Sequence, residues 1–66
     1  MIIKVRRGEE VLDLELDDGA TVADVYAKLK VLGEEYVPVV DGRVVSDCDI
    51  LEDGDELRLI RAFSGG

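Results

Sequence analysis

Residues 53–66 read DGDELRLIRAFSGG, and this stretch carries the strongest structural signals in the chain. Asp53-Gly54-Asp55 is a turn sequence, because glycine accepts the backbone angles of tight turns and aspartate side chains bond to nearby amides. From Glu56 to Phe63 the sequence alternates, with Leu57 and Leu59 on one side, which is the period of a half-buried strand. The stretch therefore predicts a turn followed by a final strand.

The N-terminal residues predict a β-hairpin. Met1 to Arg7 and Glu10 to Leu16 both alternate, and Gly8-Glu9 separates them. The inward positions are Met1, Ile3, Val5, Leu12, Leu14 and Leu16. Two alternating runs around a glycine-containing turn are typical of antiparallel strands.

The middle of the chain predicts one helix. Thr21 is a good N-cap residue and Asp24 follows three residues later, close to a capping box, so the helix should begin at Val22. Gly33 is predicted to end it in the left-handed conformation. The apolar stripe, about three turns long at this spacing, consists of Val22, Val25, Leu29 and Leu32, with Tyr26 beside it.

A second hairpin is predicted after the helix. Tyr36 to Val40 and Arg43 to Val45 are rich in β-formers, and Asp41-Gly42 between them suits a tight turn. Pro38 has no amide proton, so its strand should lie at the sheet edge or point that position outward.

Ser46 to Glu52 is predicted to be irregular or a short helical turn, anchored to the core by Ile50 and Leu51. Cys48, the only cysteine in the chain, has two interpretations, a reactive thiol or a small, partly buried loop residue. The second, a small residue after Asp47, is preferred.

Together these elements predict an α+β fold, with a mixed sheet of four to five strands and one helix packed across one face. The chain of 66 residues has room for a single domain, residues 1–66, and we expect a flexible tail at residues 64–66. The composition, 47% hydrophobic and 36% charged, is that of a globular domain.

The net charge of −8 argues against nucleic acid and membrane surfaces as partners, because phosphates would be repelled. No apolar run approaches a membrane span and the N-terminus has no signal-peptide layout, so we expect a cytoplasmic protein. The acidic clusters at Asp17-Asp18 and residues 53–56 lack the spacing of a calcium loop, and solvated turns account for them better.

The chain has no histidine and one cysteine. An internal disulfide, a structural zinc site and the histidine-dependent nucleophilic mechanisms are therefore excluded. We expect no metal, no bound cofactor and no catalysis by this chain alone.

This order of elements in about this length, with the turn at Asp53-Gly54-Asp55 and the terminal Gly65-Gly66, resembles the ubiquitin-like β-grasp proteins. Within them the chain is most similar to the ThiS/MoaD family of sulfur carriers. The motif likeness is confined to residues 53–66, whereas the N-terminal hairpin and the helix match by pattern.

The resemblance implies that the protein is a carrier acted on by an adenylating enzyme related to ubiquitin-activating enzymes. That enzyme uses ATP to convert the Gly66 carboxylate into an acyl adenylate, and a sulfur donor then yields a thiocarboxylate. A synthase accepts the sulfur during cofactor biosynthesis, and the tail RAFSGG favours the thiamin thiazole over molybdopterin. Two alternatives are a ubiquitin-like modifier joined to lysines of target proteins and a plain interaction module whose tail is a frayed end.

The slim residues Gly65 and Ser64 are expected to let Gly66 thread into the enzyme, since glycine has no side chain to clash. The residues expected to dock on the partner are Phe63, Ala62, Arg61, Ile60 and Arg58. Phe63 has an equally weighted alternative, in which its ring folds back into the core. A carrier that docks transiently is expected to be a monomer.

Overall fold

The chain forms one mixed sheet with an α-helix across one face, which confirms the predicted α+β class. The computed structural model describes residues 1–62. In chain order the elements are β1 Ile2–Arg7, β2 Glu10–Glu15, α1 Val22–Leu29, a 3-10 turn at Gly33–Glu35, β3 Tyr36–Val40, β4 Arg43–Val44 and β5 Glu56–Arg61. The strand order is β2-β1-β5-β3-β4. Among residues 1–62, β1 and β5 form a parallel pair, and the other strand pairs are antiparallel.

The turn at residues 53–55 joins β5 to the beginning of β1. Its amides and carbonyls bond across to β1, with Gly54 N–H donating to Ile2 O at 2.9 Å and Lys4 N–H donating to Asp55 O at 2.9 Å. The Asp53 carboxylate also accepts from Ile2 N–H at 2.7 Å. Gly54 has φ 87°, a left-handed angle that favours glycine. The predicted turn is therefore also the point at which the two ends of the chain are tied together.

Both predicted hairpins are present. The first turns at Gly8-Glu9, with Arg7 opposite Glu10. The second turns at Asp41-Gly42, where both residues have positive φ, 53° and 78°, as a type I′ turn requires.

Pro38 does not lie in an edge strand, which corrects one of its two predicted placements. β3 lies between β5 and β4. The Pro38 carbonyl accepts from Val45 N–H at 3.0 Å, so the proline nitrogen also points toward β4, away from β5. Because proline has no N–H, Pro38 cannot donate a hydrogen bond back to the Val45 carbonyl. The pairing of β3 with β4 accordingly ends at Val44.

The helix begins where predicted. The Asp24 carboxylate accepts from Thr21 N–H at 2.8 Å, completing the capping interaction expected at the N-terminus. The helix ends earlier than predicted, after Leu29 and about two turns, because Lys30 adopts the left-handed conformation with φ 58°. Val31 N–H then bonds to Tyr26 O at 3.1 Å and closes the end.

Gly33 is not the left-handed stop, and the predicted role is wrong. Its φ is not positive, and it begins the 3-10 turn instead. A Cβ atom there would lie 2.7 Å from two carbons of the Tyr26 ring. Glycine is needed at this position because the backbone approaches an aromatic ring closely.

The core lies between the helix and the inner face of the sheet. Its fully buried side chains are Ile3, Val5, Val22, Val25 and Leu57. Leu51 is buried there as predicted, but three other predictions are wrong: Leu32 is 62% exposed, Ile50 is 67% exposed and Cys48 is exposed. Leu32 leaves the predicted stripe because the helix has already ended, and Ile50 pairs with Thr21 in an isolated bridge on the surface.

Tyr26 contributes the one buried hydroxyl without a hydrogen-bond partner among residues 1–62. The residue is 8% exposed. Burial, and secondarily the nearby Asp47 carboxylate, raise the pKa of the phenol. An unpaired buried hydroxyl is destabilising by about 1–3 kcal/mol.

We predict that Gly33→Ala lowers the free energy of unfolding by about 1–3 kcal/mol, because the added methyl forces the Tyr26 ring out of place. Urea denaturation followed by circular dichroism measures this. The neighbouring exposed Glu34→Ala is the control and should change stability by less than about 0.5 kcal/mol. Equal effects of the two substitutions would contradict the steric role of Gly33.

We predict that Tyr26→Phe raises the free energy of unfolding at neutral pH by about 1 kcal/mol, because it removes the unpaired hydroxyl. A raised phenol pKa in the folded state means that the wild type loses stability as the pH rises above the ordinary phenol pKa of about 10. The advantage of the variant should therefore grow in alkaline solution. Urea titrations of both proteins at neutral and alkaline pH measure the difference, and a variant less stable at neutral pH would refute it.

Candidate functional site

The last strand carries the predicted docking residues to the end of the described chain. Arg58 and Ile60 are exposed on the face of the sheet opposite the helix, while Leu57 and Leu59 are buried beneath them. Arg61 is also exposed. This confirms the predicted alternation and places these residues where another protein can reach them.

Ala62 is exposed, and its backbone N–H donates to Glu35 O at 2.8 Å. The remaining predicted site residues, Phe63, Ser64, Gly65 and Gly66, lie outside the described residues. The two interpretations of Phe63 therefore both stay predictions.

Ile60 belongs to an apolar patch that spans β5, β3 and β4. Directly opposite residues in paired strands place their side chains on the same face. Val37 lies opposite Ile60, and Val39 lies opposite both Arg58 and Val44. Ile60 is 48% exposed and Val44 is 71% exposed, whereas Val39 between them is buried, with 8% exposure. We call Val37, Val39, Val44 and Ile60 the open-face patch.

Arginine side chains line a cleft of about 440 Å³ beside this patch. Arg6 on β1 is the register partner of Arg58 on β5, and Arg7, Arg61 and Tyr36 complete the lining. We call this the arginine cleft. It gathers four of the chain's 8 basic residues in a protein whose net charge is −8.

The arginines of the cleft differ in how they are compensated. Arg7 pairs with Glu10 at 3.0 Å, and that hydrogen bond raises the pKa of the guanidinium. Arg6 approaches Glu56 at 3.8 Å. Within residues 1–62, neither Arg58 nor Arg61 forms an ion pair. The guanidinium groups nearest the C-terminal tail are therefore available to carboxylates or other anions of a partner.

Sequence patterns identified Arg58, Ile60 and Arg61 but missed Arg6, Arg7 and the three valines of the open-face patch. The missed residues join the site only through strand pairing. The adjacent Arg6 and Arg7 could have been noticed in the sequence as a basic pair. Their proximity to Arg58, however, depends on the parallel register of β1 and β5.

The described residues offer surfaces for binding another protein. Over residues 1–62, no group of His, Cys, Asp and Glu side chains is arranged to hold a metal ion. No helix in that part of the chain is long and apolar enough to cross a membrane. Cys48 Sγ lies 3.1 Å from the Ser46 hydroxyl, on a loop separate from the arginine cleft.

The strand order and the helix across one face define a ubiquitin-like β-grasp protein. Residues 4–66 match the model of the ThiS family, so the chain belongs to the ThiS family. The match extends to the terminal Gly65-Gly66.

Solved structures show the same fold. A ubiquitin from Caldiarchaeum subterraneum is 29% identical, with a TM-score of 0.74, and the match covers 100% of this chain and 98% of that one. SAMP1 from Haloferax volcanii is 20% identical over 100% of both chains, with a TM-score of 0.80. A chain from the complex of subunits 1 and 2 of molybdopterin-converting factor from Helicobacter pylori is 20% identical over 100% of both chains, with a TM-score of 0.72. No curated protein sequence gave a significant match.

Membership of this family identifies the protein as a small carrier or modifier, a class whose members are not themselves enzymes. The ThiS/MoaD resemblance inferred from residues 53–66 is thereby confirmed.

Proposed function

We propose that this protein is a sulfur carrier whose reactive group is the Gly66 carboxylate. In the proposed reaction a partner enzyme joins the carboxylate to the α-phosphate of ATP and releases pyrophosphate. A sulfur donor then displaces AMP from the acyl adenylate, which leaves a C-terminal thiocarboxylate. The observation that carries the proposal is the ThiS family match, because it runs through residue 66 and includes the glycine pair.

The chemistry of the tail supports this role. A carboxylate is a weak electrophile and has to be activated at a nucleotide site of another protein. Gly65 and Gly66 have no side chains that would block a narrow channel, and glycine takes extended or left-handed angles without strain. Ordering such a tail costs about 1–2 kcal/mol per residue fixed, so a docking surface on the folded domain has to offset that cost.

The open-face patch and the arginine cleft supply that surface in the proposal. Both lie along β5, the strand that leads to the tail, so an enzyme bound there is positioned to receive the chain end. An apolar centre beside charged residues is the usual composition of a protein interface. Arg58 and Arg61 would pair with carboxylates of the enzyme, and the apolar patch would supply most of the buried area.

The thiamin thiazole is the proposed destination of the sulfur. The tail RAFSGG and the match to the ThiS family favour thiamin over molybdopterin. The fold likeness to SAMP1 and to an archaeal ubiquitin favours a second candidate, a modifier joined to lysine amines through Gly66. Both candidates require the same first step, adenylation of the tail.

We predict that the purified protein, incubated with ATP, a candidate adenylating enzyme from the same genome and sulfide, gains the mass of one oxygen-to-sulfur exchange. Intact-mass spectrometry reads the product, and pyrophosphate release reports the first step. A variant lacking Gly66 is the control and should give neither signal. Pyrophosphate release without sulfur incorporation, together with conjugates on lysines in a lysate, would support the modifier instead. Activity that survives deletion of Gly66 would exclude both candidates.

We predict that Ile60→Asp and Arg58→Glu each raise the KM for this protein in the pyrophosphate assay by about tenfold or more, with a smaller change in kcat. Loss of a central apolar contact or reversal of an interfacial charge weakens docking, whereas Gly66 itself is unchanged.

The controls for these variants lie on other surfaces. Ile50→Asp replaces a side chain of similar exposure and Lys30→Glu reverses an exposed charge at the end of the helix. Both should leave the KM within about twofold of the wild type. Controls as defective as the test variants would show that the enzyme does not dock along β5.

A further inference from the structure

A second groove lies on the helix side of the sheet, away from the open-face patch. It has a volume of about 670 Å³, and its lining includes Tyr26, Leu32, Pro38 and Val45 together with the carboxylates Glu34 and Asp47. Pro38 is paired with Leu59, a core residue, so its ring points to the helix side. We call this the helix-side groove.

Two features of the groove are unfavourable for an isolated domain. Leu32 exposes 62% of its surface. The Tyr26 hydroxyl is buried beneath the groove with no hydrogen-bond partner among the described residues. Buried polar groups in native proteins are nearly always paired, so an unpaired one at a binding groove points to a ligand that supplies or induces the missing partner.

Gly33 also shapes the groove, because its backbone lies close to the Tyr26 ring. A side chain there would meet the ring at 2.7 Å, so the bare backbone of Gly33 lets the ring lie against the turn. At this point the groove is therefore lined by the aromatic ring and by backbone without a side chain. Such a wall fits an apolar side chain of a ligand.

The charged residues of the groove indicate the sign of the charge on a suitable ligand. Glu34 and Asp47 line it and no lysine or arginine does. A second copy of this chain is an unsuitable occupant, because each copy has a net charge of −8 and like charges repel. A segment with lysine or arginine beside apolar residues is complementary in both respects.

We propose that the helix-side groove binds a basic peptide segment of a partner protein, anchored by apolar side chains. In the bound state an apolar side chain covers Leu32, and lysine or arginine groups pair with Glu34 and Asp47. The Tyr26 hydroxyl gains a partner when the segment, or Asp47 displaced by it, supplies an acceptor.

The groove and the open-face patch lie on opposite sides of β3. Tyr36 and Pro38 face the groove, while Val37 and Val39 belong to the open face. A partner in the groove therefore leaves the open-face patch accessible, although Tyr36 lines both the groove and the arginine cleft. This inference goes beyond the proposed function and does not depend on sulfur chemistry.

We predict saturable binding of the acetylated and amidated peptide Lys-Lys-Leu-Tyr-Leu-Lys-Lys in an NMR titration of the ¹⁵N-labelled protein. The amides of Tyr26, Gly33 and Val45 should shift most. The control peptide Lys-Lys-Ser-Ser-Ser-Lys-Lys has the same charge and should bind at least tenfold more weakly, because it lacks the apolar anchor.

Variants separate the groove from general attraction to an acidic protein. Leu32→Ser should weaken the leucine peptide about tenfold, whereas Ile50→Ser, at a surface site of similar exposure, should not. Asp47→Asn should weaken it more than Asp13→Asn, which removes the same charge elsewhere. Tyr26→Phe should weaken it about threefold although the variant is the more stable protein.

Several outcomes would overturn the proposal. Equal binding of the two peptides, or shifts spread over all acidic residues or confined to the open face, would show that the groove is not selective. Shifts that depend on protein concentration without peptide would place a second copy there. The titration contains no activating enzyme, so its failure leaves the sulfur-carrier proposal standing, and failure of the mass assay leaves this one standing.

Discussion

The parallel pairing of β1 with β5 is the constraint on which the rest of the structure depends. A parallel pair cannot be closed by a short hairpin, and here it joins strands from opposite ends of the chain. The turn at residues 53–55 sets its register, with Gly54 N–H on Ile2 O and Lys4 N–H on Asp55 O, both at 2.9 Å. Because a shift by one residue would exchange the buried and exposed faces of β5, these bonds also decide that Leu57 and Leu59 are buried and that Arg58 and Ile60 are exposed.

This constraint also makes β5 a rigid end for the described chain. β5 is the middle strand of the sheet, bonded to β1 on one side and β3 on the other, and such strands are the last to open in local fluctuations. The described chain continues to Ala62, which is held by Glu35 O at 2.8 Å. In the proposed function this strand leads to the Gly66 carboxylate, and a fixed starting point lowers the entropy lost on docking.

Local signals in the sequence were enough to predict the element order, the helix start and both hairpin turns. Thr21 with Asp24, and Asp41 with Gly42, are short-range patterns whose physical effect is also short-range. Two of the errors came from packing that a local sequence pattern does not show. Gly33 read as a helix stop because glycine commonly ends helices, whereas its actual role depends on the Tyr26 ring packed against it. The set of docking residues predicted from the sequence was incomplete for the same reason. It lacked Arg6, which only the β1–β5 register places beside Arg58.

The arginine cleft and the helix-side groove differ in the charge of the residues that line them. With a net charge of −8 the protein as a whole attracts positively charged molecules, yet the cleft along β5 gathers Arg6, Arg7, Arg58 and Arg61. In the proposed function, a partner that docks along β5 therefore meets a cluster of arginines on an otherwise acidic protein. Such an arrangement orients the encounter before contact, because a partner with an acidic rim is attracted only in the pose that faces the cleft. The helix-side groove is lined by Glu34 and Asp47, so the segment proposed to bind there carries positive charge. In these proposals, electrostatics steers partners of opposite surface charge to the arginine cleft and to the helix-side groove, while the apolar residues at each site supply the binding energy once contact is made.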